Sequence, residues 1–474
     1  MSLKIETGSD KVHNNPLEFA PVGGLIKKYA IPSIISLLIA AIYNITDQIF
    51  IGHAVGWIGN AATAVAFPIS YLSNAITQLI GIGAAVNFNI NMGARKPVEA
   101  RKYVGQGLAL VSILGVALMC ILLLFKTPIL LAFGATKTIM PYADMYLGIT
   151  AFGYPFLIFT TAGSQLIRAD GSPKYAMLCS VLGAVINVFL NWLLTFEFGW
   201  GIQGAAASSV ISQFLGFAIC IAYFPRFKAF KIGFDAMLLK LSYIVRIAKL
   251  GVSNFLNQII MMLVNIVMNN TLTHYGASSI YGSDKPLAVA GVILKLYSIL
   301  VSFAVGTAQG CQPILGFNIG AKNYARVKET YKKAFVVVII ISILAFIAFQ
   351  VFPRQLVSIF GSGETYDDLY FDFAERYMRI YMFMIFVFGI QPLTVNYFSS
   401  IGYPSQGIVL SLSRQGFFLI PLLIVFPLIW GLDGALYAGP VADALACILS
   451  LFLVFRNFRK LTALQLTEGQ WVRV

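Results

Sequence analysis

One carboxylate stands where a hydrocarbon solvent penalises it most: Asp47, in Tyr43-Asn-Ile-Thr-Asp47, lies inside an apolar run from Tyr29 to Gly52. An ionisable side chain at that depth faces water, a partner or an ion, which makes it a functional candidate. In dry surroundings a carboxyl group keeps its proton until a cation arrives to replace it, so a proton and a cationic ligand exclude one another at a single acid. That competition is the chemistry of an antiporter. Tyr43 and Asn44, four and three residues earlier, share its helical face and are expected to help solvate it.

Asn187-Val-Phe-Leu-Asn191 places two amides on one helical face, and Ser208 and Ser209 follow on the next apolar run. Their oxygens serve a hard cation, a hydrated cleft or a neighbouring helix equally well. The second half of the chain offers Asn265 and Asn269 four apart, then Lys295, Gln309 and Gln312 on one long run, and Asp443 in the last run. Lys295 is expected to face the interior, with Asp443 as its partner or as a second titrating acid. Arg414, shortly after the start of its run, reads as an anchor to headgroups rather than a gate. Phe152, Tyr154, Phe156 and Phe159 present ring faces suited to flat or cationic organic molecules, although most such rings pack or meet lipid.

These groups need a membrane to position them. Hydrophobic residues make up 58% of the 474, charged ones only 11%, and mean hydropathy is +0.81; a soluble domain carries about twice that charge. Twelve spans of the length a helix needs to cross hydrocarbon are predicted at 29–52, 60–90, 103–125, 139–163, 175–197, 202–224, 250–274, 287–316, 334–352, 378–398, 407–429 and 432–455. No apolar core resembling a cleaved leader precedes the first span. With alternating sides, 25 Lys and Arg fall on one face of the membrane and six on the other, which predicts cytoplasmic termini. The acidic segment Glu364, Asp367, Asp368, Asp372 and Glu375 is then exterior. The net charge of +14 is accounted for by this asymmetry, not by a nucleic-acid partner.

The chain also repeats itself. Asn91-Met-Gly-Ala-Arg95 recurs as Asn318-Ile-Gly-Ala-Lys322, Gly83 as Gly310, Gly171-Ser-Pro173 as Gly402-Tyr-Pro404, and Gly201-Ile-Gln-Gly-Ala205 as Gly431-Leu-Asp-Gly-Ala435, at offsets of 227 to 231 residues. Six spans per repeat give both halves the same orientation. The predicted fold is therefore all-α and polytopic, two six-helix bundles (29–224 and 250–455) with pseudo-twofold symmetry along the membrane normal. Residues 1–28 form an N-terminal segment, 225–249 a basic linker and 456–474 a tail. A duplicated single chain without a ring-forming carbonyl filter favours a carrier over a channel.

Enzyme chemistry finds little here. His13, His53 and His274 are the only histidines, no Cys/His cluster has zinc spacing, and no phosphate loop is present. Cys120, Cys179, Cys220, Cys311 and Cys447 read as packing residues.

Tyr43-Asn-Ile-Thr-Asp47, Asn91-Met-Gly-Ala94, Arg168-Ala-Asp-Gly171, Gly306-Thr-Ala-Gln-Gly-Cys-Gln-Pro313, Gly316-Phe-Asn-Ile-Gly-Ala321, Leu410-Ser-Leu-Ser-Arg-Gln415 and Pro440-Val-Ala-Asp443 together resemble the multidrug and toxic compound extrusion (MATE) transporters. The resemblance spans residues 24 to 455. It implies export driven by an inward proton or sodium gradient, without cofactors. It also implies an ion site formed by an acid of span one with an Asn, an Asp and a hydroxyl of spans five and six. By motif these are Asp47, Asn187, Asn191 and Ser209, with Tyr43 beside them. Asn191 departs from the pattern, because many relatives carry Asp there, and this leaves Asp47 as the principal acid. The expectation is a monomeric plasma-membrane antiporter exchanging protons for amphipathic, cationic organic compounds. The alternatives are sodium coupling at Asp47, Asn187, Asn191 and Ser209, or export of an amphipathic lipid-linked precursor, whose polyanionic headgroup calls for several basic groups in the cleft where Lys295 is the clear deep cation, which disfavours that reading.

Overall fold

The computed structural model describes residues 15–471 except Gly56, Gly134, Thr136, Thr138, Ser283 and 359–367, and these described residues are helices and turns. At hydrocarbon depth every backbone N–H and C=O must find its partner inside the segment, and a helix does this. We number the spans α1 (Val22–Val55), α2 (Trp57–Gly93), α3 (Pro97–Ala132), α4 (Met140–Ala169), α5 (Pro173–Glu197), α6 (Gly201–Ile221), α7 (Leu241–Ala277), α8 (Asp284–Gly320), α9 (Tyr324–Val351), α10 (Asp368–Tyr381 with Ile385–Ser400), α11 (Pro404–Trp430) and α12 (Leu432–Trp471). Eleven are long and apolar enough to cross a membrane as they stand; α10 qualifies as a pair bent by 48°.

The tenth span, expected at 378–398, is the main difference. Its first piece carries Asp368, Asp372, Glu375, Arg376 and Arg379, so hydropathy passes over it, while Tyr370, Phe373, Ala374 and Tyr377 bury its other face. α7 starts at Leu241, inside the expected linker, and α12 continues through most of the expected tail. Glu364, Asp367 and His13 lie outside the described residues.

Matched backbone features recur at the sequence offsets. Arg95 and Lys322 both turn left-handed, with φ of 57° and 59°, and Gly171 and Gly402 do so at 83° and 81°. The 3₁₀ turn Ala151–Gly153 interrupts α4; the break in α10, between Tyr381 and Ile385, falls 231 residues later. α1 lies along α8 and α2 along both α7 and α8. At these crossings glycine is a steric requirement: a Cβ on Gly93 would collide with the Phe317 carbonyl, one on Gly320 with the Ile90 carbonyl, one on Gly83 with Ile247 and one on Gly310 with Ala30.

The segment between α6 and α7 is held against the first half. Asp170 accepts from Tyr223 Oη (2.7 Å) and from the backbone N–H groups of Lys228 (2.7 Å) and Ala229 (3.0 Å). Burial pushes its carboxyl group up to about 6, against the opposing pull of these hydrogen bonds. The helical turn Phe234–Met237 then lies on α3, where Arg101 pairs with Asp235 at 2.5 Å and a Cβ on Gly105 would strike Ala236.

Candidate functional site

α1 carries Asp47, α5 carries Asn187 and Asn191, and α6 carries Ser208, Ser209 and Ser212; α1 packs on both other helices. The run Gly204-Ala-Ala-Ala207 keeps α6 close to the end of α5, where a Cβ on Gly204 would stand 2.7 Å from the Leu194 carbonyl oxygen. Asn191 Nδ2 donates to Asp47 Oδ1 at 2.6 Å, and its own Oδ1 accepts from Thr195 Oγ1 at 2.8 Å. Thr195 sits in the π-helical turn Leu193–Glu197 that ends α5; wide turns of this kind recur at functional sites. One amide is thus fixed at both ends, with its N–H aimed at the acid.

The second amide is looser. Asn187 Nδ2 faces Ser208, Ser209 and Ser212 hydroxyls at 3.5, 3.4 and 3.3 Å, while its buried Oδ1 has no hydrogen-bond partner. Tyr43 Oη lies 3.3 Å from Ser209 Oγ and so joins this cluster instead of bonding the acid. Asn44 does not solvate Asp47 as expected: it is exposed, and its Nδ2 donates to the Ala40 carbonyl at 2.8 Å. Among the described residues no Lys or Arg forms an ion pair with Asp47, and no three His, Cys, Asp or Glu side chains converge to hold a metal.

Asp443 is held differently. Arg414 Nε donates to its Oδ1 at 2.5 Å, with the two side chains 6% and 8% exposed, and the guanidinium lies 5.0 Å from the centre of the Phe388 ring. Arg414 belongs to a π-helical turn, Ser413–Leu419, within α11. It is therefore a buried counter-ion, not a headgroup anchor, and it takes the place proposed for Lys295. Lys295 is half-buried and pairs with no described carboxylate.

The remaining second-half candidates do not converge. Gln309 accepts from Arg168 Nη1 at 3.1 Å, Gln312 is buried with its Nε2 unpartnered, Asn265 donates to Tyr71 Oη at 3.0 Å, and Asn269 is exposed. Gln309 and Asn265 instead tie the two halves of the chain together. Of the proposed rings, Phe156 and Phe159 pack against Phe214 and Phe217, Tyr154 is buried, and Phe152 is exposed.

The MatE family model matches residues 32–193 and again 253–425. The chain belongs to the MatE family. It is a membrane transporter and not an enzyme. The multidrug export protein MepA of Staphylococcus aureus strain N315 is 25% identical over 461 residues, 95% of this chain and 98% of the relative. MepA of Staphylococcus saprophyticus is 24% identical over 450 residues, covering 93% and 96%. Among solved structures, the MATE multidrug transporter DinF-BH, solved as a complex, is 31% identical, with a TM-score of 0.84 over 96% of this chain and 98% of that one. An outward-facing MATE transporter is 19% identical, with a TM-score of 0.86 over 97% and 100%, a likeness of fold.

Thr195 and Ser212 were missed as members of this MATE transporter's polar cluster, although the spacing offered a signal: Thr195 is four residues past Asn191 and Ser212 three past Ser209. Arg168 belongs to one of the family motifs, but its reach across to Gln309 has no local sequence signature.

Proposed function

We propose that this MATE transporter exports amphipathic, cationic organic compounds in exchange for protons, working as a monomer in the plasma membrane with both termini cytoplasmic. Its moving parts are two six-helix lobes, 29–224 and 250–455, related by a pseudo-twofold axis along the membrane normal. The matched left-handed turns and the reciprocal glycine crossings support that symmetry. The printed descriptions of MepA as a multidrug export protein and of DinF-BH as a multidrug transporter support an organic substrate.

The observation that carries proton coupling is the bond from Asn191 Nδ2 to Asp47. An amide that turns its N–H to a carboxylate, with its oxygen engaged by Thr195, supports an acid that exchanges with a proton. A sodium ion drawing on that amide oxygen has to take it from Thr195. The sodium reading draws on one specific feature, the unpartnered Oδ1 of Asn187, which with Ser209 and Asp47 is an oxygen donor set for a hard cation.

Transport cycles proceed as Asp47 alternates between proton and cationic substrate, the two stabilising different charge states of one group. Sealed proteoliposomes with proton and sodium gradients imposed separately test this. Uphill export on the proton gradient alone is the expected result, and strict dependence on sodium at zero proton gradient overturns it.

A further inference from the structure

At the basic end of the second half, α9 and the extension of α12 flank an open cavity of about 620 Å³ lined by Lys328, Glu329, Lys332 and Lys333 on one side and Phe458, Thr462 and Gln465 on the other. Glu329 is engaged with Lys333 at 2.7 Å. Lys328 donates only to neutral oxygens, Thr462 Oγ1 at 3.0 Å and Gln465 Oε1 at 3.3 Å. Lys332 is exposed and pairs with no described carboxylate. The cavity therefore carries excess positive charge.

The first half shows what belongs there. Lys328 lies 227 residues after Arg101, the offset that relates Asn91 to Asn318; the groups these two cations meet come from different elements, Asp235 from the linker turn Phe234–Met237 and Gln465 from the extension of α12. Arg101 is neutralised by Asp235, which the chain itself delivers on the turn covering Gly105. In the second half the cation is kept and the anion is replaced by an amide. The matched cation meets an acid in the first half and a neutral amide in the second, which leaves its charge open to an anion from outside the chain.

The surfaces running away from the lysines say which anion. Below Lys332 at steps of three and four residues lie Val336, Ile340, Leu344 and Ile347, all exposed. Below Phe458, α12 presents exposed Phe455, Phe452 and Ile448. A phosphate at the ammonium groups with two acyl chains on these stripes satisfies both halves of the slot, and free phosphate satisfies only one.

We propose that this cavity binds the phosphate of an anionic glycerophospholipid, which takes the place that Asp235 fills in the first half. The full-length protein, in vesicles of phosphatidylcholine doped with phosphatidylglycerol, is released and its retained lipid is counted by native mass spectrometry. Wild type is expected to retain phosphatidylglycerol preferentially. The combined variant Lys328→Gln, Lys332→Gln, Lys333→Gln is expected to bind it roughly tenfold more weakly or worse. Gln465→Glu, which sets a carboxylate beside Lys328, is expected to displace it, while Arg101→Gln leaves retention unchanged. Equal retention by wild type and the triple variant overturns the proposal, as does unchanged retention by Gln465→Glu. Lysine-dependent binding of inorganic phosphate that competes with the lipid also overturns it, by assigning the cavity to a free anion.

Discussion

Asp47 and Asp443 sit one in each half of the chain, both within spans, and they are held in opposite ways. Asp47 receives the N–H of a neutral amide, whereas Asp443 receives a guanidinium. An acid bonded to an amide can take up a proton without stranding a charge on its partner. Protonating Asp443 leaves Arg414 as an uncompensated cation with 6% exposure, which is strongly unfavourable. The contrast supports the proposal that exchange takes place in the first half, with the second-half pair as a buried ion pair. The two halves share matched left-handed turns but hold their acids by different chemistry.

The largest expected effect tests that assignment directly. Asp47→Asn should lower gradient-driven export by roughly hundredfold or more, with folding retained. The double variant Arg414→Met with Asp443→Leu, which removes both charges together, should keep uphill export. Proteoliposome flux decides, and a folded double variant as inactive as Asp47→Asn breaks the comparison.

Stability sharpens it. Arg414→Met alone strands the Asp443 carboxylate and should destabilise the protein by about 3–5 kcal/mol, most of it recovered when Asp443→Leu is added. Thermal unfolding of the three proteins under one condition measures the coupling between the sites.

A smaller effect is expected from Asn191→Asp, which sets a second carboxylate beside Asp47 and makes the first-half site more like a hard-cation site. Sodium should raise the melting temperature of the variant by about 2 °C or more over its effect on wild type. An equal response of the two proteins sinks the idea that residue 191 biases the site toward protons.

The smallest effect lies outside the spans. Asp170 has its carboxyl group raised from 3.8 to about 6 by burial, so it binds its proton more tightly folded than unfolded. Its contribution to stability is full below about pH 3.8 and is lost as pH rises through about 6. Asp170→Asn should remove that part of the pH slope, so the melting-temperature difference between variant and wild type changes across this window and is constant above it.

Much of this architecture was legible because hydrocarbon imposes simple rules. Apolar runs located eleven spans and the second piece of the tenth, and the repeated Gly-Ala turns marked places where helices cross. The first piece of α10 escaped because it balances charge against buried aromatic rings, which a hydropathy average cannot distinguish from a loop. In the site, Asp47, Asn187 and Asn191 were readable from helical spacing and from the penalty on polar groups at depth. The Arg414–Asp443 pair was not, since its members are 29 residues apart and the π turn that carries Arg414 has no strong local code. Lys295 misled for the opposite reason: a cation is conspicuous in a sequence whether or not an acid comes near it.

The crossings at Gly83, Gly93, Gly310 and Gly320 have a kinetic consequence. Where backbone meets backbone, the glycines have no side-chain rotamers to freeze when the halves close and none to release when they part. Resistance to separation then falls on a few long-range bonds, such as Arg168 to Gln309 and Asn87 to the Arg246 carbonyl. For the proposed motion of the two halves, these long-range bonds are the polar contacts that binding at the first-half site works against.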